Sequence, residues 1–432
     1  MGPTEMADAW VLIEGDRIAA TGRGALPEAA ADTVRTDARG GLILPGMIDT
    51  HVHFREPGLT HKATIASESR AAVLGGVTSY LEMPNTRPAT TSLEAIEAKK
   101  AIAARDSAAN YGFFLGAAEG NAGEIARMDP REVPGVKLFI GSSTGNMAVN
   151  SQEELDAVFR SARVPVMVHA EDDAVIARNA SEAKAKYGED VPVEAHPAIR
   201  SEEACLAATR RAMALAREHG TRLHVAHVST AAELELTAGA ENVTLEVTPL
   251  HLTFCDEDYG RSGSRIKVNP AVKTAADRAA LQEALLAGRI ATIGSDHAPH
   301  LPGEKEGGAL KAASGAPSVQ FALPLLLDML PAETVVRHYA ELPARLFDIK
   351  DRGSLRAGNY ADVVIVDECP RTLRDADSAS PCGWTPFSGM TLRHRVREVW
   401  VNGTHTVAEG ALTGLTAGRA LRFDRPAAQT NN

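Results

Sequence analysis

The chain has 432 residues, 44% of them hydrophobic and 23% charged, and a formal net charge of -11 at neutral pH. That length accommodates one large domain and a smaller one, with an ample buried core. The acidic balance argues against a surface that tracks nucleic-acid phosphates, and no apolar run approaches the roughly 20 residues that cross a bilayer.

The opening residues, MGPTEMADAW, carry no basic stretch followed by an apolar one, so no secretory signal is evident. Cys205, Cys255, Cys369 and Cys382 form no CxxC pair and read as reduced thiols of a cytoplasmic protein. Residues 10–23 (WVLIEGDRIAATGR) predict a hairpin turning at Gly15 and Asp16. The apolar run LILPGMID, residues 42–49, predicts a strand that leads into His51 and His53. From about residue 46 to 348 short apolar runs alternate with helical stretches. VPVMVHA (164–170), RLHVAHV (222–228) and RIATIGS (289–295) read as buried parallel strands. The clearest helix is 201–219. Ser201 caps it, Glu202 and Glu203 favour its first turn, Gly220 ends it, and Ala204, Ala208, Leu215 and Ala216 face the sheet. The Gly-rich, charged segment 301–316 reads as a mobile loop, serving either as a connection or as a lid. Strand-like runs return at 353–367 (GSLRAGNYADVVIVD) and 397–410 (REVWVNGTHTVAEG).

Repeated strand–helix units over about 300 residues predict an α/β fold, a (β/α)8 TIM barrel, rather than a doubly wound sheet. No Gly-rich fingerprint supports a nucleotide-binding alternative. The β-rich ends predict a small β-sandwich built from both termini. The expected boundaries are 1–45 and 349–432 for the sandwich and 46–348 for the barrel.

Two imidazoles at i and i+2 on a strand point the same way, so His51 and His53 can reach one metal ion. Taken alone, such a pair is common. Here it lies at a strand's C-terminal end, where barrel enzymes place their chemistry. His169, His227 and Asp296 sit at three further strand ends, and so many metal-ligating groups on one face are hard to obtain by chance. Lys137, on the short apolar strand of GVKLFIGSS, would be a costly buried charge. As a carbamate formed with CO2 it becomes an oxygen ligand able to bridge two cations.

The series LILPGMIDTHVHFREPG, EMPNT (82–86), GVKLF, VHAED, HVST, VTPLHL, KVNP, SDHAPH and ADVVIVD resembles, over nearly the whole chain, the dihydroorotases of the amidohydrolase superfamily. The resemblance implies one metal on His51, His53 and Asp296, and a second on His169 and His227. Carbamylated Lys137 and a hydroxide would bridge the two ions, which the His-rich set suggests are Zn2+. It further implies that Asp296 is the general base and acid in the reversible interconversion of dihydroorotate and N-carbamoyl-L-aspartate. Arg55, Asn85 and His300 would bind the substrate carboxylate, while Asn269 and the backbone at Ala316 and Pro317 would hold the pyrimidine ring. Relatives often read PHHL where this chain has Pro249-Leu250-His251-Leu252, so His251 is given no metal. The lysine-bearing GVKLFIGSSTGN stretch points to the hydantoinase-like bridging type. The short N-terminus predicts a missing or truncated first sandwich strand.

Two rival readings remain. Hydantoinases, dihydropyrimidinases and allantoinases share the metal apparatus but generally lack an arginine at the position of Arg55. A catalytically dead subunit scaffolding aspartate transcarbamoylase would be expected to have lost ligands that this chain retains. A small-molecule substrate and a possible homodimer complete the expectations, with neither nucleic acid nor membrane as partner.

Overall fold

The computed structural model describes residues 8–427 except 27, 29, 142–146, 148 and 150. The hairpin is present as β1 (Ala9–Glu14) and β2 (Arg17–Arg23), antiparallel and turning through Gly15 at φ 60°. It makes a sheet of its own and leans on the C-terminal segment through Ile18 N–H to Asn359 O at 2.9 Å. The hairpin thus lies outside the larger sheet, and residues 1–7, before its first strand, lie outside the described residues. The next strand, β3 (Leu42–Pro45), carries the N-terminal contribution to that larger sheet.

Among the described residues eight parallel strand positions follow. They are β4 (Met47–Val52), β5 (Val77–Glu82), β6 (Asn110–Phe113) with its continuation β7 (Leu115–Gly116), β8 (Val136–Ile140), β9 (Val166–Ala170), β10 (Leu223–Val225), β11 (Val243–Val247) and β12 (Thr292–Ile293). One sheet runs β4–β5–β6, the other β7 through β12, and a parallel bridge from Val52 to His297 closes the barrel. The strands at 222–228 and 289–295 are shorter than predicted. In both, the chain leaves the ladder before its ligand-type residue, at Val225 ahead of His227 and at Ile293 ahead of Asp296. The SSTGN end of the GVKLFIGSSTGN stretch, 142–146, lies outside the described residues.

The helix Glu202–His219 forms as predicted. The Ser201 hydroxyl accepts from Ala204 N–H, Gly220 sits at φ 65°, and Ala204, Ala208, Leu215 and Ala216 are buried. Among the described residues no helix is long and apolar enough to cross a membrane.

The second layer is an antiparallel five-stranded sheet of order β16–β15–β14–β13–β3. It comprises β13 (Val363–Thr372), β14 (Thr391–Val401), β15 (Thr404–Ala408) and β16 (Ala411–Leu412) beside the early β3. Both chain ends thus contribute, as the β-rich termini predicted. At the end of the barrel where the strands begin, a tail doubles back. Leu421 N–H bonds Tyr111 O, and Leu421 and Phe423 pack into a cluster with Ile48, Leu81, Phe114 and Met167. Each such buried side chain contributes roughly 1.5–3 kcal/mol.

Candidate active site

At the opposite, C-terminal ends of the strands, polar side chains replace the apolar filling. His51 is buried on β4, and its Nδ1 lies 2.7 Å from Glu246 Oε1. Glu246, on β11, is fixed in turn by the Thr50 hydroxyl at 2.6 Å. A Cβ on Gly294 would meet the Glu246 carboxylate at 2.3 Å, so only glycine lets the carboxylate lie against the last strand. With Nδ1 donating to Glu246, the Nε2 lone pair of His51 turns inward, 3.5 Å from Asp296 Oδ1. His53 is set the same way. Its Nδ1 is 2.7 Å from Asn85 Oδ1, and its Nε2 is 3.0 Å from Asp296 Oδ1. The inward atoms of His51, His53 and Asp296 all lie within 4.8 Å of one another.

Asp296 has φ 45° and His227 φ 38°, backbone that non-glycine residues adopt only under constraint. Burial opposes ionisation of Asp296, but His51 and the His53 hydrogen bond hold it below the usual carboxylate range.

A second group faces the first. His169 Nδ1 and His227 Nε2 approach to 3.0 Å, and His169 Nε2 lies 3.0 Å from Glu171 Oε2, which also pairs with Arg200. The outer nitrogen of His169 therefore carries a proton, and its inner lone pair meets the ring of His227. Lys137 Nζ is 3.4 Å from His51 Nε2. It is fully buried with no carboxylate in ion-pair contact among the described residues, and burial pushes its ammonium down to about 8. Nitrogen donors, one carboxylate and an amine made partly neutral by burial form a set that fits divalent cations.

Beside this cluster the site is cationic. Arg55, with φ 70°, is buried, and its Nε donates to Pro299 O at 3.0 Å. Its Nη2 lies 3.0 Å from His300 Nε2. Among the described residues no carboxylate pairs with it. Burial pushes the Arg55 guanidinium down to about 10. Burial together with Arg55, Lys62 and Lys305 pushes His300 down to about 2.

Asn85, read as a carboxylate ligand, has its oxygen bound to His53. The Asn269 side-chain oxygen is buried without a hydrogen-bond partner. The carbonyls of Ala316 and Pro317 already accept from Ala298 N–H at 2.9 Å and the Thr385 hydroxyl at 3.5 Å. Both ring nitrogens of His251 are engaged, by the Thr248 hydroxyl and Pro270 O.

Sequence reasoning missed Glu171, Glu246 and Lys62. Glu171 and Glu246 left a signal: carboxylates in the apolar runs VMVHAED and TLEVTP are out of place unless something inside the fold needs them.

The amidohydrolase family matches residues 42–405, a span containing every candidate site residue. A dihydroorotase of Halobacterium salinarum is 38% identical, with 95% of this chain and 96% of that one covered. An allantoinase of Rubrobacter xylanophilus is 36% identical over 90% of this chain and 88% of its own. Among solved structures, an L-hydantoinase (dihydropyrimidinase) from Arthrobacter aurescens superposes with TM-score 0.91 at 29% identity, covering 98% and 97%.

Proposed function

Since this chain belongs to the amidohydrolase family, we propose that it hydrolyses a cyclic amide bearing a carboxylate, and that it is a dihydroorotase. One observation carries the choice among the related activities: the buried Arg55 guanidinium has no acidic partner among the described residues and stands beside His300 at the edge of the His51–His53–Asp296 cluster. A desolvated arginine in that state is costly, and an anionic ligand offsets the cost. Hydantoin, dihydrouracil and allantoin carry no carboxylate to supply there.

Two divalent cations, which we take to be zinc, would be held by His51, His53 and Asp296 on one side and His169 and His227 on the other, with carbamylated Lys137 between. When bound, such a pair lowers the pKa of water and polarises a carbonyl. Asp296 accepts a proton from the attacking water. The bond from ring carbonyl carbon to ring nitrogen breaks as the carbon–oxygen bond forms, and Asp296 returns the proton to the departing nitrogen. Arg55 and His300 grip the carboxylate, and the unpartnered Asn269 oxygen accepts a ring N–H. Run backwards, the same groups close N-carbamoyl-L-aspartate into the ring with loss of water.

The test is turnover by zinc-loaded protein of dihydroorotate, hydantoin, dihydrouracil and allantoin side by side. Strong preference for dihydroorotate is expected, and preference for an uncharged ring would overturn the substrate while keeping the chemistry.

A further inference from the structure

Lys62 lies seven residues after Arg55, in the loop that follows β4. That loop is tightly folded: Leu59 N–H bonds Arg55 O, Lys62 N–H bonds Leu59 O, and Ile65 N–H bonds Glu56 Oε2. At its tip Gly58 has φ 80°, and a Cβ there would meet Arg87 O at 1.8 Å. The fold carries Lys62 back to the site. Its Nζ comes to 3.0 Å from His300 Nδ1 and 2.6 Å from Glu304 Oε1.

An ammonium only donates, so the nitrogen it faces must accept. Nε2 also faces a donor, the Arg55 guanidinium, so the acceptors decide the tautomer: Ser314 O is within hydrogen-bond reach of Nε2, whereas Glu304 Oε2, 3.6 Å from Nδ1, is not. His300 Nδ1 is therefore bare and the ring proton sits on Nε2. Nε2 lies 3.1 Å from Ser314 O and 3.0 Å from Arg55 Nη2. Two donors, Nε2–H and the guanidinium, then stand side by side with Ser314 O as the acceptor in contact with the ring. An anionic oxygen placed there accepts from the guanidinium and takes Nε2–H over from Ser314 O. In the other tautomer, a bare Nε2 would accept from Arg55 and tie up the guanidinium inside the protein.

We propose that Lys62 is a positioning residue for the carboxylate-binding pair: by donating to His300 Nδ1 it selects the ring tautomer whose Nε2–H, together with Arg55, is presented to the substrate anion. This rests on the carboxylate reading above. It gives the loop after β4 two roles in anion recognition, one direct through Arg55 and one through Lys62.

A competing role is mechanical, since the Lys62–Glu304 ion pair also joins this loop to the one after β12. Steady-state kinetics on dihydroorotate with the metal-loaded full chain separates the two. Lys62→Met should raise KM about tenfold, the scale of one lost charge-assisted hydrogen bond, with kcat nearly unchanged. Lys62→Arg, which can still donate, should restore most of the loss. Glu304→Gln keeps its size and its acceptor for Leu301 N–H but breaks the ion pair, and should leave KM close to wild type.

Unchanged KM in Lys62→Met overturns the proposal, as does an equal defect in Glu304→Gln or a parallel fall in kcat. Wild-type protein that leaves dihydroorotate untouched overturns instead the carboxylate reading on which the proposal stands.

Discussion

Asp296 touches His53 directly and lies beside His51, the position from which we propose that its carboxylate holds a metal and moves the proton. Asp296→Ala should lower kcat by about 10^3-fold, within the range of lost general acid–base catalysis. Its far-UV spectrum should match the wild type, because the apolar barrel filling is untouched. Near-normal turnover in that variant would remove the mechanism. For Arg55→Met the expectation is a KM for dihydroorotate raised roughly 10–100-fold. A KM that stays put would move the substrate toward an uncharged ring. Which residues were legible at this scale follows from distance along the chain. His51 and His53 declare themselves because i and i+2 share a strand face. Lys62 does not, because its meaning depends on His300, 238 residues away.

The segment 301–316, read from composition as mobile, is built around an inward-pointing cation. Lys305 Nζ donates to the carbonyls of Lys267, Ala313 and Gly315 at 3.1, 2.7 and 2.8 Å. A short 3-10 turn (Pro302–Lys305) and a helical turn (Gly308–Lys311) lie within the segment. From outside, the Trp384 indole N–H bonds His300 O at 2.8 Å, so the C-terminal region helps wall this loop. Glycine and charge do not reveal these bonds, because a lysine that binds its own loop's carbonyls has the same composition as one in solvent. Lys305→Met should take this donor from the carbonyls of Ala313 and Gly315, while Lys267 O keeps Gly315 N–H, at a cost of roughly 2–4 kcal/mol. Hydrogen exchange across 301–316 should accelerate selectively, and exchange indistinguishable from wild type would show that the staple is dispensable. By contrast, Glu202–His219 was readable in full, since capping by Ser201, termination at Gly220 and an apolar stripe are all local features. The last strand was not, because β12 keeps only two ladder residues where the chain turns off to place Asp296.

At the scale of the whole molecule, several buried histidines are held neutral. Burial and Lys273 push His251 from 6.5 down to about 4, burial and neighbouring cations take His300 down to about 2, and burial with Lys267 puts His196 well below its usual value. Because these folded pKa values lie below the unfolded one, the unfolded chain binds more protons as pH falls from 6.5 toward 4. Stability is therefore expected intact above about pH 6.5 and lost progressively on acidification through that window. Urea midpoints of metal-free protein between pH 8 and 5 check this, and a flat profile would contradict it. Chelation should lower the thermal midpoint at neutral pH, since the cluster ligands are spread over several strands and a cation binds only the folded arrangement. Equal midpoints with and without chelator would argue against a resident metal.

The tail at 419–425 gives a different kind of consequence. Leu421 and Phe423 fill the barrel floor, and Arg425 donates to the carbonyls of Pro130, Val133, Pro134 and Phe347. The ribosome makes these residues after all eight barrel strands. A nascent chain that has already exposed every strand of the barrel still has an open floor. Its apolar lining stays uncovered until residue 425 emerges, which extends the exposure to aggregation to the last stage of synthesis.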